Sequence, residues 1–249
     1  MRRSTIAFAA LVTVLALPAL ALAGGPRHYP RRGPGPRPAA FDTTFGVRLG
    51  VFSPDADSNF FDENFAVFTG DADDYEDGMV GVDFAWRSSP QIDLVASIST
   101  FEGSQTQGYR DAAVDPFLEG VLHDSELSIT PLTIGLRARL AGEGSVVRPY
   151  VGAGGGFYWW RYREFGDFVE FDPVDPANDQ IITAGFESES VTLGFYLQAG
   201  VEFSVRPTWS VYVDARWHQA DDELGDDFEG FGDIDLSGRE VSVGVAWHF

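Results

Sequence analysis

Ten charged residues sit at spacings that suit one enclosed network. Arg48, Arg87, Arg137, Arg139 and Arg216 share the inward phase of alternating segments with Asp83, Asp93, Glu202, Asp214 and Glu240. A charge withdrawn from water must be paired, so a balanced set of this kind predicts arginine–carboxylate bridges in a confined interior. Tyr196, Gln198, Tyr212 and His248 add hydrogen-bonding groups in the same phase. Glycines such as Gly46, Gly81, Gly135, Gly154, Gly200 and Gly244 leave these side chains room. The alternative chemistry is a narrow polar pathway for a small solute. Long, balanced side chains in a narrow space read better as a filler.

Other chemistries find less support. Acyl transfer needs a serine, a histidine and an acid in contact. The histidines are His28 in a Pro/Gly/Arg stretch, His123 in a loop, His218 at one end of a strand and His248 near the C-terminus. His218 points inward and has Arg216 and Ala220, not serine, at i±2. It reads as a structural histidine at a rim. No nucleotide-binding loop, dinucleotide fingerprint or metalloprotease motif occurs. With no cysteine there is neither a disulfide nor a thiolate metal site. The acidic runs 71–78 and 221–227 could offer oxygen ligands to calcium, but the first lacks the glycine an EF-hand loop needs at its sixth position. They read as a solvated acidic surface. The net charge of −21 argues against a nucleic-acid partner. No cofactor is expected.

The elements that must position these residues are strands. The last nine residues put Val241, Val243, Val245, Trp247 and Phe249 on one face and Ser242, Gly244, Ala246 and His248 on the other. Seven earlier segments repeat that pattern. Their apolar faces begin at Phe45, Val80, Ile92, Leu132, Val151, Val191 and Trp209. The connections alternate in length. Turns at 88–90, 141–147 and 205–208 are short, and stretches 54–78, 102–126, 163–190 and 219–237 are long. This predicts an all-β chain: an eight-stranded antiparallel up-and-down transmembrane β-barrel with its short turns at one end. Tryptophans at both ends of the apolar faces form an aromatic belt. Of the 6 tryptophans only Trp160 lies out of phase. Acids concentrate in the long stretches; the exceptions are Asp42, Asp83, Asp93, Glu143, Glu202, Asp214 and Glu240. Phe60, Phe61, Phe65 and Phe68 open the first long stretch. They are expected either to fold over the barrel mouth or to bind something apolar.

Residues 1–23 read as a secretory signal peptide, with Arg2 and Arg3, an apolar run and Ala21-Leu22-Ala23 before Gly24. Residues 24–40 read as a disordered Pro/Gly/Arg-rich periplasmic linker, and 41–249 as the barrel domain.

The stretches 130–137, 149–156, 198–203 and 209–216, with Trp247 and the terminal Phe249, resemble the small outer-membrane β-barrel superfamily of the OmpA barrel domain, OmpX and OmpW. The resemblance covers residues 45–249. It implies export through the Sec pathway to the outer membrane of a Gram-negative cell, with a periplasmic N-terminus and a monomeric barrel. It also implies that Trp247 and Phe249 act as a signal to the barrel assembly machinery. The function expected is non-enzymatic: a structural or surface-interaction role through acidic extracellular loops. The alternatives are an OmpW-like narrow channel for a small solute and a lipid-modifying outer-membrane enzyme. Arg161 and Arg239 lie in the lipid-facing phase at the outer rim, where contact with outer-membrane lipid and lipopolysaccharide phosphates is expected.

Overall fold

The computed structural model describes residues 43–249 apart from 114, 143, 173, 176 and 177. The signal-peptide and linker readings, Arg27 to Arg37 and His28 therefore lie outside the described residues. Eight strands close into an antiparallel barrel. They are β1 (Thr43–Pro54), β2 (Asp77–Ser89), β3 (Ile92–Gly108), β4 (Leu122–Arg139), β5 (Val147–Glu170), β6 (Gln180–Arg206), β7 (Trp209–Gln219) and, after two short strands β8 (Asp221–Glu223) and β9 (Asp233–Asp235), β10 (Gly238–His248). Strands β8 and β9 form their own small sheet in the last long loop. The seam is the β1–β10 pair, in continuous register from Thr44↔His248 to Pro54↔Gly238. Closure leaves no strand edge in the barrel wall facing lipid.

Side-chain alternation sorts the wall as an apolar band requires. Leu49, Trp86, Leu132, Leu136, Phe157, Leu193, Leu197 and Trp247 are exposed on the outside, while Arg48, Asp93, Tyr196, Asp214, Arg216 and Glu240 are buried inside. Glycine sets how closely the inner aromatics approach the wall. A Cβ at Gly244 would overlap the Tyr212 ring, and one at Gly200 would overlap Tyr150.

The long stretches 102–126 and 163–190 were expected as loops; this is corrected by the strands. β3, β4, β5 and β6 run on as paired strand to Gly108↔Leu122 and Glu170↔Gln180. The period of two persists there while the two faces exchange character. Along β5 the outward Arg161 and Arg163 alternate with buried Tyr158, Trp160, Tyr162 and Glu164. Outside a bilayer the surrounding medium is water, so the outer face turns polar and the interior turns apolar. Trp160 follows Tyr158 at the start of this reversed pattern, which accounts for its phase.

The reversed segment encloses a second core. Between β1 and β2 the helix α1 (Asn59–Val67) buries Phe60, Phe61 and Asn64. Phe60 packs edge-on against Tyr162 at 5.0 Å and Phe228 at 5.7 Å, and Phe61 meets Tyr75 at 6.1 Å. Leu127, Ile129, Tyr158, Trp160, Ile234 and Leu236 complete this cluster. The four phenylalanines of the first long stretch therefore fold over the mouth: Phe60 and Phe61 are buried, Phe65 packs against them, and Phe68 packs against Tyr109.

Candidate functional site

The barrel interior carries the densest polar chemistry, in two levels. At mid-height, Arg48 bridges Asp83 at 2.5 Å and Glu240 at 2.7 Å. Arg216 joins from β7, 3.2 Å from Asp83 and 2.9 Å from Asp214. Neutral groups fill the remaining lone pairs. Ser97 donates to Asp83 at 2.7 Å, Tyr212 donates to Asp83 at 3.1 Å, and Tyr150 donates to Asp214 at 2.6 Å. The Arg216 guanidinium lies over the Tyr196 ring, 5.5 Å from its centre.

Towards the short-turn end, Asp93 takes Arg137 at 3.0 Å and Arg139 at 2.8 Å. Arg87 stands opposite Asp93 in the β2–β3 register. Glu202 pairs with Arg148 at 3.3 Å, accepts Ser210 Oγ at 2.7 Å and lies 3.3 Å from His248 Nε2. Thr44 closes the chain on His248 Nδ1 at 3.0 Å. Sequence reasoning missed Arg148. The sequence places the apolar face of this strand from Val151 and a turn at 141–147, yet β5 begins at Val147 and keeps Arg148 in phase with Tyr150. Pro149 is tolerated near the strand's end.

Above mid-height, His218 Nδ1 is 3.0 Å from the Tyr158 hydroxyl and its Nε2 is 3.4 Å from Glu240 Oε2. The cavity between the charge network and the aromatic plug, lined by Phe52, Met79, Phe101, Tyr158, His218 and Glu240, has a volume of about 10 Å³. That is room for about one water.

Beyond the plug lies a third polar group, in the extension rather than in the barrel. His123 was expected in a loop; it sits on β4, buried between Phe68 at 4.5 Å and Phe168 at 4.6 Å. Its Nε2 meets Gln107 Oε1 at 3.2 Å, Gln107 donates to Asn64 at 3.1 Å, and Asn64 donates to Glu164 at 2.8 Å. Tyr162 donates to the same Glu164 oxygen at 2.7 Å. Burial holds the His123 pKa down to about 4 and raises that of Glu164. This chain ties α1 to β3, β4 and β5. The signal for it in the sequence was the reversed alternation around Trp160.

The rim arginines are engaged by carboxylates. Arg161 lies 2.9 Å from Glu189 and 3.8 Å from Glu187, and Arg239 lies 3.4 Å from Asp55. No group of acids and histidines spaced to hold a metal ion occurs among the described residues.

Residues 7–249 match the outer membrane protein beta-barrel domain family. The chain belongs to that family. It is an outer-membrane β-barrel protein. No curated protein sequence matches the chain. Among solved structures, it is similar to neisserial surface protein A, with 11% identity, 84% of this chain and 98% of that chain covered, and a TM-score of 0.45. It is similar to outer membrane protein W of E. coli, with 15% identity, coverage of 84% and 100%, and a TM-score of 0.37. It is also similar to the outer membrane protease OmpT of Escherichia coli, with 12% identity, coverage of 84% and 94%, and a TM-score of 0.41. A shared barrel does not carry a shared activity.

Proposed function

We propose that this outer-membrane barrel is non-enzymatic and non-conducting, and that it holds a rigid acidic platform at the cell surface for interaction. The observation that carries the reading is a lumen filled twice, by the Arg48–Asp83–Arg216–Asp214 network at mid-height and by the Phe60–Phe61–Tyr162–Phe228 plug above it. An eight-stranded barrel is only wide enough for its own side chains, and here they are long, paired and buried. In the proposed orientation the chain is exported through the Sec pathway, the short turns and both ends of the barrel face the periplasm, and the four-strand extension stands outside the cell. Trp247 and Phe249 serve the barrel assembly machinery. Lipopolysaccharide is the proposed lipid contact at the rim. Arg239 is the freer of the two arginines for it, with its side chain 69% exposed beside a single carboxylate. Arg161 shares its guanidinium between Glu187 and Glu189.

Planar-bilayer recording from the purified protein tests the reading. No steady ion conductance is expected, with or without small solutes. Reproducible single-channel steps would overturn it in favour of a narrow channel.

A further inference from the structure

Strand β6 has a neighbour on both sides over only part of its length. Its pairing to β5 continues to Glu170↔Gln180, whereas its pairing to β7 begins at Phe195↔Gln219. From 180 to 194 one edge of β6 therefore has no strand laddered to it. The chain covers the part of this edge nearest the barrel with its own last loop. Asp227 accepts the Glu187 N–H at 3.0 Å, Ser188 Oγ accepts the Gly225 N–H at 3.1 Å, and Thr192 donates to the Asp221 carbonyl at 2.8 Å. Beyond Glu187 no such cover exists among the described residues.

The geometry of this edge follows from the ladder. Successive residues of a strand send their N–H and C=O groups to opposite sides. Glu187 sends its N–H away from β5, towards Asp227, so Gly185, Thr183 and Ile181 do the same. Three residues thus present donors and acceptors in a row to solvent. Exposed edges are normally guarded by charge, proline, a bulge or a covering loop. Residues 180–186 read Gln-Ile-Ile-Thr-Ala-Gly-Phe, without charge or proline, and their register with β5 has no shift. Ile181 is 50% and Ile182 36% exposed. A straight, apolar, β-favouring edge is a template for another strand.

We propose that residues 180–186 are a docking edge for an extended, basic peptide segment of a partner protein, taken up by strand addition. Charge decides the partner. Glu170, Asp172 and Asp179 flank its far end and Asp226 and Asp227 its near end, where Glu187 is already paired with Arg163 at 2.8 Å, and the next base along β6 itself is Arg206. An uncharged edge in an acidic frame favours a strand with Lys or Arg on its flanks, and the long-range field speeds its capture. A second copy of this chain fits poorly. It carries the same negative frame, and copies related by an axis along the membrane normal present their edges in the same direction, which rules out antiparallel pairing between them. The proposal rests on the surface-interaction reading above and names the partner's chemistry.

The test is a titration of the purified protein in detergent with a fluorescent synthetic peptide that alternates valine and threonine between terminal lysines. Saturable binding is expected, retained in Thr183→Val and weakened roughly tenfold in Thr183→Pro, the effect of one lost edge hydrogen bond. Proline at this position removes the outward N–H and leaves the β5 ladder intact; the hydroxyl bond from Thr183 to Asp167 at 2.6 Å is lost in the valine and proline variants alike, so their difference reads the N–H. Ile181→Pro asks the same question at a second donor if the first variant does not fold. A glutamate-flanked peptide should bind far more weakly. The proposal is overturned if the parent does not bind the lysine-flanked peptide, if both proline variants bind it as tightly as the parent, or if the glutamate-flanked peptide binds equally well. Self-association in sedimentation that Thr183→Pro abolishes would overturn it in favour of a second copy. A conducting lumen would overturn the non-conducting reading and leave the peptide result standing, so the two failures are distinct.

Discussion

Arg48 is the residue whose loss the barrel interior should tolerate least. It is 1% exposed and holds Asp83 and Glu240 at once. Asp83 keeps its bridge to Arg216 if Arg48 is removed, but among the described residues Glu240 then has no arginine bridge and keeps Ser242 at 3.1 Å and the His218 ring at 3.4 Å. Breaking a buried pair from one side costs about 3–5 kcal/mol, whereas removing both partners is far less costly. Arg48→Leu should therefore lower the urea midpoint of the compact band on unboiled gels, and Arg48→Leu with Glu240→Leu should restore most of it. Equal losses in the single and double variants would show that the pair does not act as one unit. His123 belongs to the same scale but to the opposite regime, since it is buried without a carboxylate in hydrogen-bonding contact. Its folded pKa of about 4 lies below the ordinary 6.5. The stability of the neutral ring is then fully present above about pH 6.5 and is lost as the pH falls towards 4, at most about 3 kcal/mol. Glu164, raised by burial, works in reverse and gains stability as the pH falls through its folded value towards 4.5. Amide-exchange protection at Phe68 and Val169, whose N–H groups bond Asn64 and Tyr109, should fall between pH 6.5 and 4. His123→Gln should flatten that fall and Glu164→Gln should deepen it. A parent profile already flat across this window would refute the role given to His123.

Among the elements, β10 carries closure. Its Trp247 ring stacks on Phe45 of β1 at 6.1 Å, and the Phe249 N–H donates to the Thr43 carbonyl at 2.9 Å. Deleting Phe249 removes the last bond of the seam together with the proposed assembly signal. The heat-modifiable folded form in cells should drop several-fold; unchanged assembly would remove Phe249 from both roles. The same strands show what could be read in advance. Where an outward face meets lipid, Leu, Val, Phe and Trp recur at every second residue, and all eight barrel strands were legible from that alone. The extensions of β3, β4, β5 and β6 were not, because the reading followed outward apolar residues and the outward residues there are Thr100, Glu102, Asp124, Arg161 and Glu189. The alternation had continued with its faces exchanged. The mid-height charges were legible because a buried charge needs a partner, but which acid meets which arginine depends on register and tilt, which no single strand encodes. The His123–Gln107–Asn64–Glu164 chain joins four segments far apart in sequence and left no local mark beyond the misplaced Trp160.

At the scale of the whole molecule, one chain serves two surroundings. At mid-height Arg48 and Arg216 face Asp83, Asp214 and Glu240, and towards the short turns Arg137, Arg139 and Arg148 face Asp93 and Glu202, so the two levels together come close to balance, and the surplus of acid lies almost wholly in the segments beyond the apolar band. Every one of the 17 basic residues is an arginine, the side chain best shaped for planar pairing with carboxylates inside and phosphates at a rim. The exchange of faces along β5 falls within a few residues, between Phe157 and Trp159, which point outward, and Arg161, which also points outward. The chain thereby carries its own waterline. Below that height an outward charge would have to be dragged into hydrocarbon; two residues further along the same strand it is simply wetted. The depth at which the molecule floats is therefore written into the polypeptide and not left to the membrane that receives it. A bilayer thicker or thinner than that mark must itself stretch or thin to meet it.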